Sequence, residues 1–425
     1  MAALLRQLHH ITVHVSNVEK LKNDLISKFK FNFFASRVDD RCRQLAFKKG
    51  AAVFVVNERP CGLNEEVASA PGSQRMTARR STQGNSLRCL YDVLPYYHVD
   101  TVCNVCFEVE DVERSFEALR NRGCSFLVPP TVVQDDDGHV TYSVLKSAVG
   151  NVCHTLIDKS KYNGRFLPGF TPEQCEQEED NCPVTHFDHL TYCCPRNSSE
   201  EVMGWYQQMF GFQRFFLQSK EDVGEGLLID QDGVGLRLKA MEYWKCSETG
   251  MALPSLSKTE PDCKFVIAES LPGQGSNQID TFLQQHGASG IQHIALYTPS
   301  IISTAQTMVQ SGVEFFFTPP AYYEEASKRQ EIVEAGYSPH VLAQYGILLD
   351  TKLDQDSSNC DEKKKYLLQM FTKPIFAEDT FFLELIERQG ATGFGEGNIK
   401  ALWKAVNACM ENAQGSECSV TSTSR

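Results

Sequence analysis

No stretch of this 425-residue chain is apolar over the roughly 18 residues that a bilayer-spanning helix needs. A strand-like alternation, His10-Ile11-Thr12-Val13-His14-Val15, begins almost at once and leaves no room for a secretory core or an Arg/Ser-rich transit peptide. A soluble chain is therefore expected, with any organelle address non-cleaved. Basic residues are in deficit. The formal net charge of −13 argues against a nucleic-acid partner, which would concentrate Lys and Arg. The one basic cluster, Arg75 to Arg80, sits in a Ser/Gly/Gln-rich stretch and reads as a solvated loop. Hydrophobic residues at 42% and charged residues at 22% exclude a disordered chain. Cysteine is the opposite case, at 16 residues, yet most lie inside apolar patterns and read as reduced, buried thiols. Cys103-x-x-Cys106 alone has metal-like spacing. It has no second pair, and on a strand its thiols are expected on opposite faces.

What is present is a repeat. Asn121-Arg-Gly-Cys-Ser-Phe-Leu-Val-Pro-Pro130 and Gln310-Ser-Gly-Val-Glu-Phe-Phe-Phe-Thr-Pro-Pro320 share a helix-ending Gly, an aromatic strand and a Pro-Pro stop, with Gly123 and Gly312 lying 189 residues apart. Ser16-x-x-Glu19 and Ser198-x-x-Glu201 read as capping boxes opening two helices, each after a strand that begins with His (His10 and His189). The chain thus reads as α+β, with four strand–helix–strands modules, two per half. The expected boundaries are 1–168 for the first half, 169–183 for an acidic linker, 184–412 for the second half and 413–425 for a disordered tail. The patternless stretches 61–93, 244–262 and 353–364 read as insertions.

The repeat lets one half serve as a control for the other. Equivalent strand positions hold His189, His293 and Glu384 in the second half, but His10, Asn104 and Thr155 in the first. A lone histidine on a strand is ordinarily a hydrogen-bonded core residue, and Glu384 alone would fit a buried ion pair. Three polar residues at matching positions of a repeated module are not explained that way. Phe381-Phe-Leu-Glu-Leu-Ile386 would bury Glu384 among large apolar groups, which is costly for an unpaired carboxylate. Two imidazoles and a carboxylate are the donor set expected for iron(II), with open positions left for substrate and dioxygen. Glu387 falls on the opposite strand face beside Arg388 and is expected to be solvated.

At these residues the sequence resembles the 4-hydroxyphenylpyruvate dioxygenase family over nearly its whole length. The motifs are Asp188-His189, Gly290-Ile-Gln-His-Ile-Ala295, Leu367-Leu-Gln-Met-Phe-Thr-Lys373, Phe382-Leu-Glu-Leu-Ile386 and Gly393-Phe-Gly-Glu-Gly-Asn398. The resemblance implies a vicinal-oxygen-chelate fold of four βαβββ modules forming two open β-barrel domains, with a C-terminal lid helix over 399–410. It implies Fe(2+) on His189, His293 and Glu384, and a pocket including Gln278, Gln292, Gln369, Phe371, Phe394 and Asn398. Departures are expected to matter. Homogentisate-forming members have Ser where Leu238 stands, Asn at Ala268 and a ring-stacking Phe at Ile399, whereas 4-hydroxymandelate synthases have aliphatic residues at the last two. The implied activity is oxidative decarboxylation and hydroxylation of a 2-oxo acid by dioxygen. 4-Hydroxyphenylpyruvate would give 4-hydroxymandelate, a precursor for the ubiquinone head group. A homogentisate-forming dioxygenase of tyrosine breakdown and an inactive metal-binding scaffold are the alternatives. The resemblance also implies a mitochondrial address, with the cytoplasm as alternative, and leaves a homodimer open.

Overall fold

The computed structural model describes residues 3, 5–38, 42–59, 89–93, 97–174, 182–216, 221–231, 234–243, 264–273, 275–351, 365–391, 393–395 and 397–398. The basic cluster, nearly all of the three insertions, the lid helix over 399–410 with Ile399, and the tail lie outside these residues.

Two modules build the first sheet. One runs β1 (Leu5–Val15), α1 (Val18–Asn23), β2 (Asn32–Val38), β3 (Arg43–Lys49) and β4 (Ala52–Glu58). The next runs β5 (Thr101–Val109), α2 (Val112–Asn121), β6 (Phe126–Asp135), β7 (Gly138–Lys146) and β8 (Cys153–Asp158). The segment read as a linker begins by adding β9 (Thr171–Pro172), which pairs with β2 at the sheet edge. The second sheet takes β10 (His186–Cys193), α3 (Ser199–Phe210), β11 (Phe212–Phe215), β12 (Leu227–Gln231), β13 (Val234–Tyr243) and β14 (Lys264–Ser270). After α4 (Gln278–His286) come β15 (Gly290–Tyr297), α5 (Ile301–Gln310), the short helices α6 (Pro320–Glu324), α7 (Ala326–Glu334) and α8 (Pro339–Tyr345), then β16 (Leu348–Asp350), β17 (Tyr366–Phe371) and β18 (Phe382–Gln389).

Each sheet is nine-stranded, curled and open, with the first strands of its two modules antiparallel at the centre: β1 beside β5, and β10 beside β15. The last strand of each module closes parallel on the first, as β1 with β4, β5 with β8, β10 with β14 and β15 with β18. Alternation then sorts the side chains. On β10, Leu190 and Tyr192 enter one large apolar core built from both sheets and from α1, α2, α3 and α5, while Cys193 faces the concave side. The inner faces are lined separately, by Phe34, Tyr91, Tyr142 and Phe166 in the first sheet and by Ile229, Leu238, Ala268 and Phe282 in the second.

Three local expectations are corrected. Neither capping box forms. Asn17 caps α1 by accepting from the Lys20 amide at 3.0 Å, and Ser198 makes no side-chain cap to α3. The Pro-Pro pair does not stop β6, which runs through Pro129 and Pro130 because it is an edge strand and tolerates a missing donor. Its counterpart is no strand: only Phe315 bridges, to Thr372, and Pro320 opens α6. Finally, residues 89–93 of the first insertion are packed, with Cys89, Tyr91 and Asp92 buried.

Candidate metal centre

The ladder register reproduces the equivalence drawn from the sequence. Thr191 pairs with His293 and Thr12 with Asn104, while Ala295 pairs with Glu384 and Cys106 with Thr155. Each half also carries the same two bulges. Between Phe187 and His189 the register skips Asp188, and between Thr191 and Tyr192 it skips Gln292 on the partner strand. In the first half the skipped residues are His9 and Cys103. A bulge lets two successive residues approach the same face, which strict alternation forbids. Asp188 and Gln292 thereby reach the imidazoles of the residues that follow them. The same bulge overturns the expected splaying of Cys103 and Cys106. Cys103 clusters with His14 and Asp92, and Cys106 with His9 and His10, all as free thiols within 4.8 Å of those groups.

In the second half the bulges assemble a compact donor set. Nitrogen and oxygen atoms of His189, His293 and Glu384 lie within 4.8 Å of one another. Glu384 Oε2 is 3.3 Å from His189 Nε2 and 3.7 Å from His293 Nε2, and the two rings stand at 84°. Each imidazole is fixed through its other nitrogen. His189 Nδ1 donates to Asp188 Oδ1 at 2.7 Å, and His293 Nδ1 to Gln292 Oε1 at 3.4 Å, an assignment that leaves both Nε2 lone pairs facing the carboxylate. Asp188 is itself gripped by Arg388, through Nε at 2.7 Å and a second guanidinium nitrogen at 2.8 Å. Glu384 Oε1 accepts from Gln369 Nε2 at 2.8 Å, and Asn398 donates to Gln369 Oε1 at 2.9 Å. Gly395, at φ +69°, is required here, because a Cβ would fall 1.9 Å from Gln369 Oε1.

The electrostatics ask for positive charge. Burial resists protonation of His189, yet the Glu384 and Asp188 carboxylates outweigh it and raise its pKa. Burial, and then His189, depress the pKa of His293 well below its usual value. Asp188 is held well below the carboxylate range: burial opposes this, but the Arg388 guanidinium and then His189 prevail. Glu384 is 1% exposed with one neutral amide as donor, while burying an ion costs several kcal/mol. A divalent cation between Oε2 and the two Nε2 atoms would supply the missing charge. The donors present therefore fit iron(II).

Around this centre Phe394 meets His189 edge-on at 4.7 Å and Phe382 stacks on His293 at 4.8 Å. Phe371 lies 6.2 Å from Phe382. Farther along the inner face Leu238 pairs directly with Ala268, so that wall is apolar. Gln278 is the first residue of α4 and half-buried. Buried Gln369 and Gln292 hydrogen-bond members of the trio and buried Asn398 hydrogen-bonds Gln369, whereas no hydrogen bond joins Gln278 to the trio among the described residues. Sequence reasoning gave no part to Arg388, Thr191 or Phe382. Glu387 is a correction. It is 5% exposed rather than solvated, and its Oε2 accepts the Ile301 amide at the start of α5 at 2.8 Å.

The first half fills the corresponding space with its own side chains. Asn104 donates to Asp92 at 2.7 Å and to Thr155 at 2.8 Å, and Thr155 donates to the Tyr91 carbonyl at 2.8 Å. Asp92 also meets His14 Nε2 at 2.7 Å and the Asn57 amide at 2.9 Å. His9 takes the place of Asp188 and meets His10 nitrogen to nitrogen at 2.7 Å.

Paired βαβββ modules curled around a two-histidine, one-carboxylate trio that could hold a metal ion define the class, a vicinal-oxygen-chelate protein. The comparisons make this particular. The chain is 40% identical over 419 residues to the 4-hydroxyphenylpyruvate dioxygenase-like protein of Mus musculus, covering 98% of this chain and 100% of that protein. It is 32% identical over 321 residues to the 4-hydroxyphenylpyruvate dioxygenase of Yarrowia lipolytica, covering 73% and 72%. A triple mutant of 4-hydroxymandelate synthase from Streptomyces coelicolor shares the fold, with a TM-score of 0.68 at 19% identity, covering 96% and 98%. No family model matches. The chain belongs to the 4-hydroxyphenylpyruvate dioxygenase family, a family of non-haem iron dioxygenases.

Proposed function

We propose that this chain converts 4-hydroxyphenylpyruvate to 4-hydroxymandelate, with iron(II) held by His189, His293 and Glu384. The observation that carries the proposal is the trio itself, complete in one half and reduced to His10 in the other. Iron(II) at this position would bind the keto acid and dioxygen and supply the redox chemistry of decarboxylation. The protein's own part is placement. Asp188 and Gln292 hold the imidazoles with Nε2 turned to the carboxylate, and Gln369 holds the carboxylate. Phe371, Phe382 and Phe394 form apolar walls that exclude water from the reacting end.

The choice of product rests on the far wall. Leu238 and Ala268 face each other, 6% and 3% exposed, where homogentisate-forming relatives carry Ser and Asn. A phenol reaching that wall finds no polar partner on either residue, so the ring is free to settle elsewhere. A displacement of about 1 Å decides which carbon meets the oxidant. A mitochondrial address and a role in supplying the ubiquinone head group belong to the same proposal and rest on the resemblance.

The test is anaerobic loading with iron(II), then exposure to oxygen and substrate, with product identification by mass spectrometry and oxygen uptake followed in parallel. 4-Hydroxymandelate is expected. Homogentisate as the main product would reject the product assignment alone, and Ala268→Asn should then change the ratio little. Absence of substrate-dependent oxygen uptake would favour a metal-binding scaffold.

A further inference from the structure

The inner edge of β10 carries one polar group with nothing to do. Strand alternation sends His189, Thr191 and Cys193 to the concave side, opposite Leu190 and Tyr192. Thr191 lies across the ladder from His293 on one side and from Val266 on the other. It is therefore flanked by both imidazoles of the trio. The residue is 3% exposed, and its Oγ1 is buried with no hydrogen-bond partner among the described residues. It is the one such atom on β10, β15 and β18, the strands that supply the trio. Buried hydroxyls ordinarily find a carbonyl or a side chain, and an orphan at a binding site points to a partner supplied by the ligand. Valine has nearly the same shape and would fill this space without a polar atom to satisfy.

We infer that the Thr191 hydroxyl donates a hydrogen bond to an oxygen of the 2-oxo acid group of the substrate. This deepens the proposed reading of the site and rests on it. The contact belongs to the chelating end of the ligand, because the ring end is bounded by Leu238 and Ala268 while Thr191 neighbours the two histidines. The ligand oxygens there carry negative charge, which strengthens a donated hydrogen bond. Thr191 thus binds the substrate directly, and its loss acts on binding first.

The experiment titrates iron(II)-loaded full-length protein anaerobically with 4-hydroxyphenylpyruvate and with phenylpyruvate, in wild type, Thr191→Val and Thr191→Ser. Calorimetry reads affinity, and iron content and melting temperature are measured on the same samples. Thr191→Val is expected to bind both keto acids about tenfold more weakly, with iron content and melting temperature unchanged. Thr191→Ser, which keeps the hydroxyl, should stay within about twofold of wild type. Unchanged affinity in Thr191→Val overturns the inference. So does a loss confined to 4-hydroxyphenylpyruvate, which would move the contact to the phenol, or a loss that follows reduced iron content. Wild-type protein that loads iron but binds neither keto acid rejects the proposed function, and the inference falls with it.

Discussion

Asp188 shows how much of the candidate metal centre lies outside the trio that would hold the ion. Its carboxylate receives the His189 ring at 2.7 Å and two guanidinium nitrogens of Arg388 at 2.7 and 2.8 Å. Removing it with Asp188→Ala would free the ring to rotate and leave the Arg388 cation buried without its carboxylate. The expected result is a loss of iron affinity of about 10- to 100-fold, as for other orienting partners of metal-bound histidines. Stability should fall by about 3 kcal/mol, since one partner of a buried pair is left behind. Iron titration and urea unfolding of the same preparation check both, and unaltered iron affinity would mean that ring orientation is fixed without Asp188. The trio itself was legible in the sequence, because three strand positions match between the halves and two of them differ, His293 against Asn104 and Glu384 against Thr155. Arg388 was not, because it lies 200 residues from Asp188 and no local pattern links them. A usable signal was nevertheless present. Asp188-His189 and Gln292-His293 each place two polar residues in succession within an apolar strand, which alternation alone cannot bury on one face.

At the scale of elements, helix starts were misread for a related reason. Capping boxes are local patterns, and α4 has one in Asn277 and Asp280, whereas α3 and α5 are met at their N-termini by carboxylates arriving from distant strands. Glu269 on β14 accepts the Ser199 amide of α3, and Glu387 on β18 accepts the Ile301 amide of α5. A buried carboxylate there satisfies an orphan donor and faces the positive end of the helix dipole. Glu384 and Glu387 stand three residues apart on one strand and do different work. Glu387→Ala should lower unfolding stability by about 1–2 kcal/mol and leave iron stoichiometry unchanged. Glu384→Ala should abolish iron binding with a smaller effect on the fold of the iron-free protein. Urea unfolding beside metal analysis separates them, and loss of iron from the Glu387 variant would mean that β18 is held in register by that cap. Strands were legible wherever hydrophobic alternation was strong. The three short helices between α5 and β16 were not, since α7 buries only Ile332 and α8 only Leu342, too few apolar positions for a period.

The whole molecule is two sheets sharing one core, and its least visible feature in the sequence is the junction. The central strands carried apolar residues on both faces, and nothing local said whether a helix or the other sheet would cover the outer one. Two buried histidines sit at this junction. His154 on β8 donates from Nδ1 to the Val105 carbonyl at 3.1 Å, and its Nε2 accepts from Tyr206 of α3 at 2.8 Å. His286 of α4 reaches back to the Thr101 hydroxyl at 2.8 Å and to Tyr97 at 3.0 Å. Burial pushes the pKa of each down to about 4. The unfolded chain, with histidines near 6.5, therefore takes up these protons first as pH falls. Stability is complete above about pH 6.5 and declines toward pH 4, each histidine withdrawing about 2 kcal/mol by pH 5. Replacing His154 with Phe removes one titrating group and also the acceptor of Tyr206. The variant should be weaker than wild type at pH 7 by about 1–2 kcal/mol, yet lose less on going to pH 5. Urea unfolding at the two pH values reads the difference directly. An identical loss in both proteins would show that the junction does not open to acid through His154, and would shift the sensitivity to His286 and to His10, whose pKa burial also lowers to about 4.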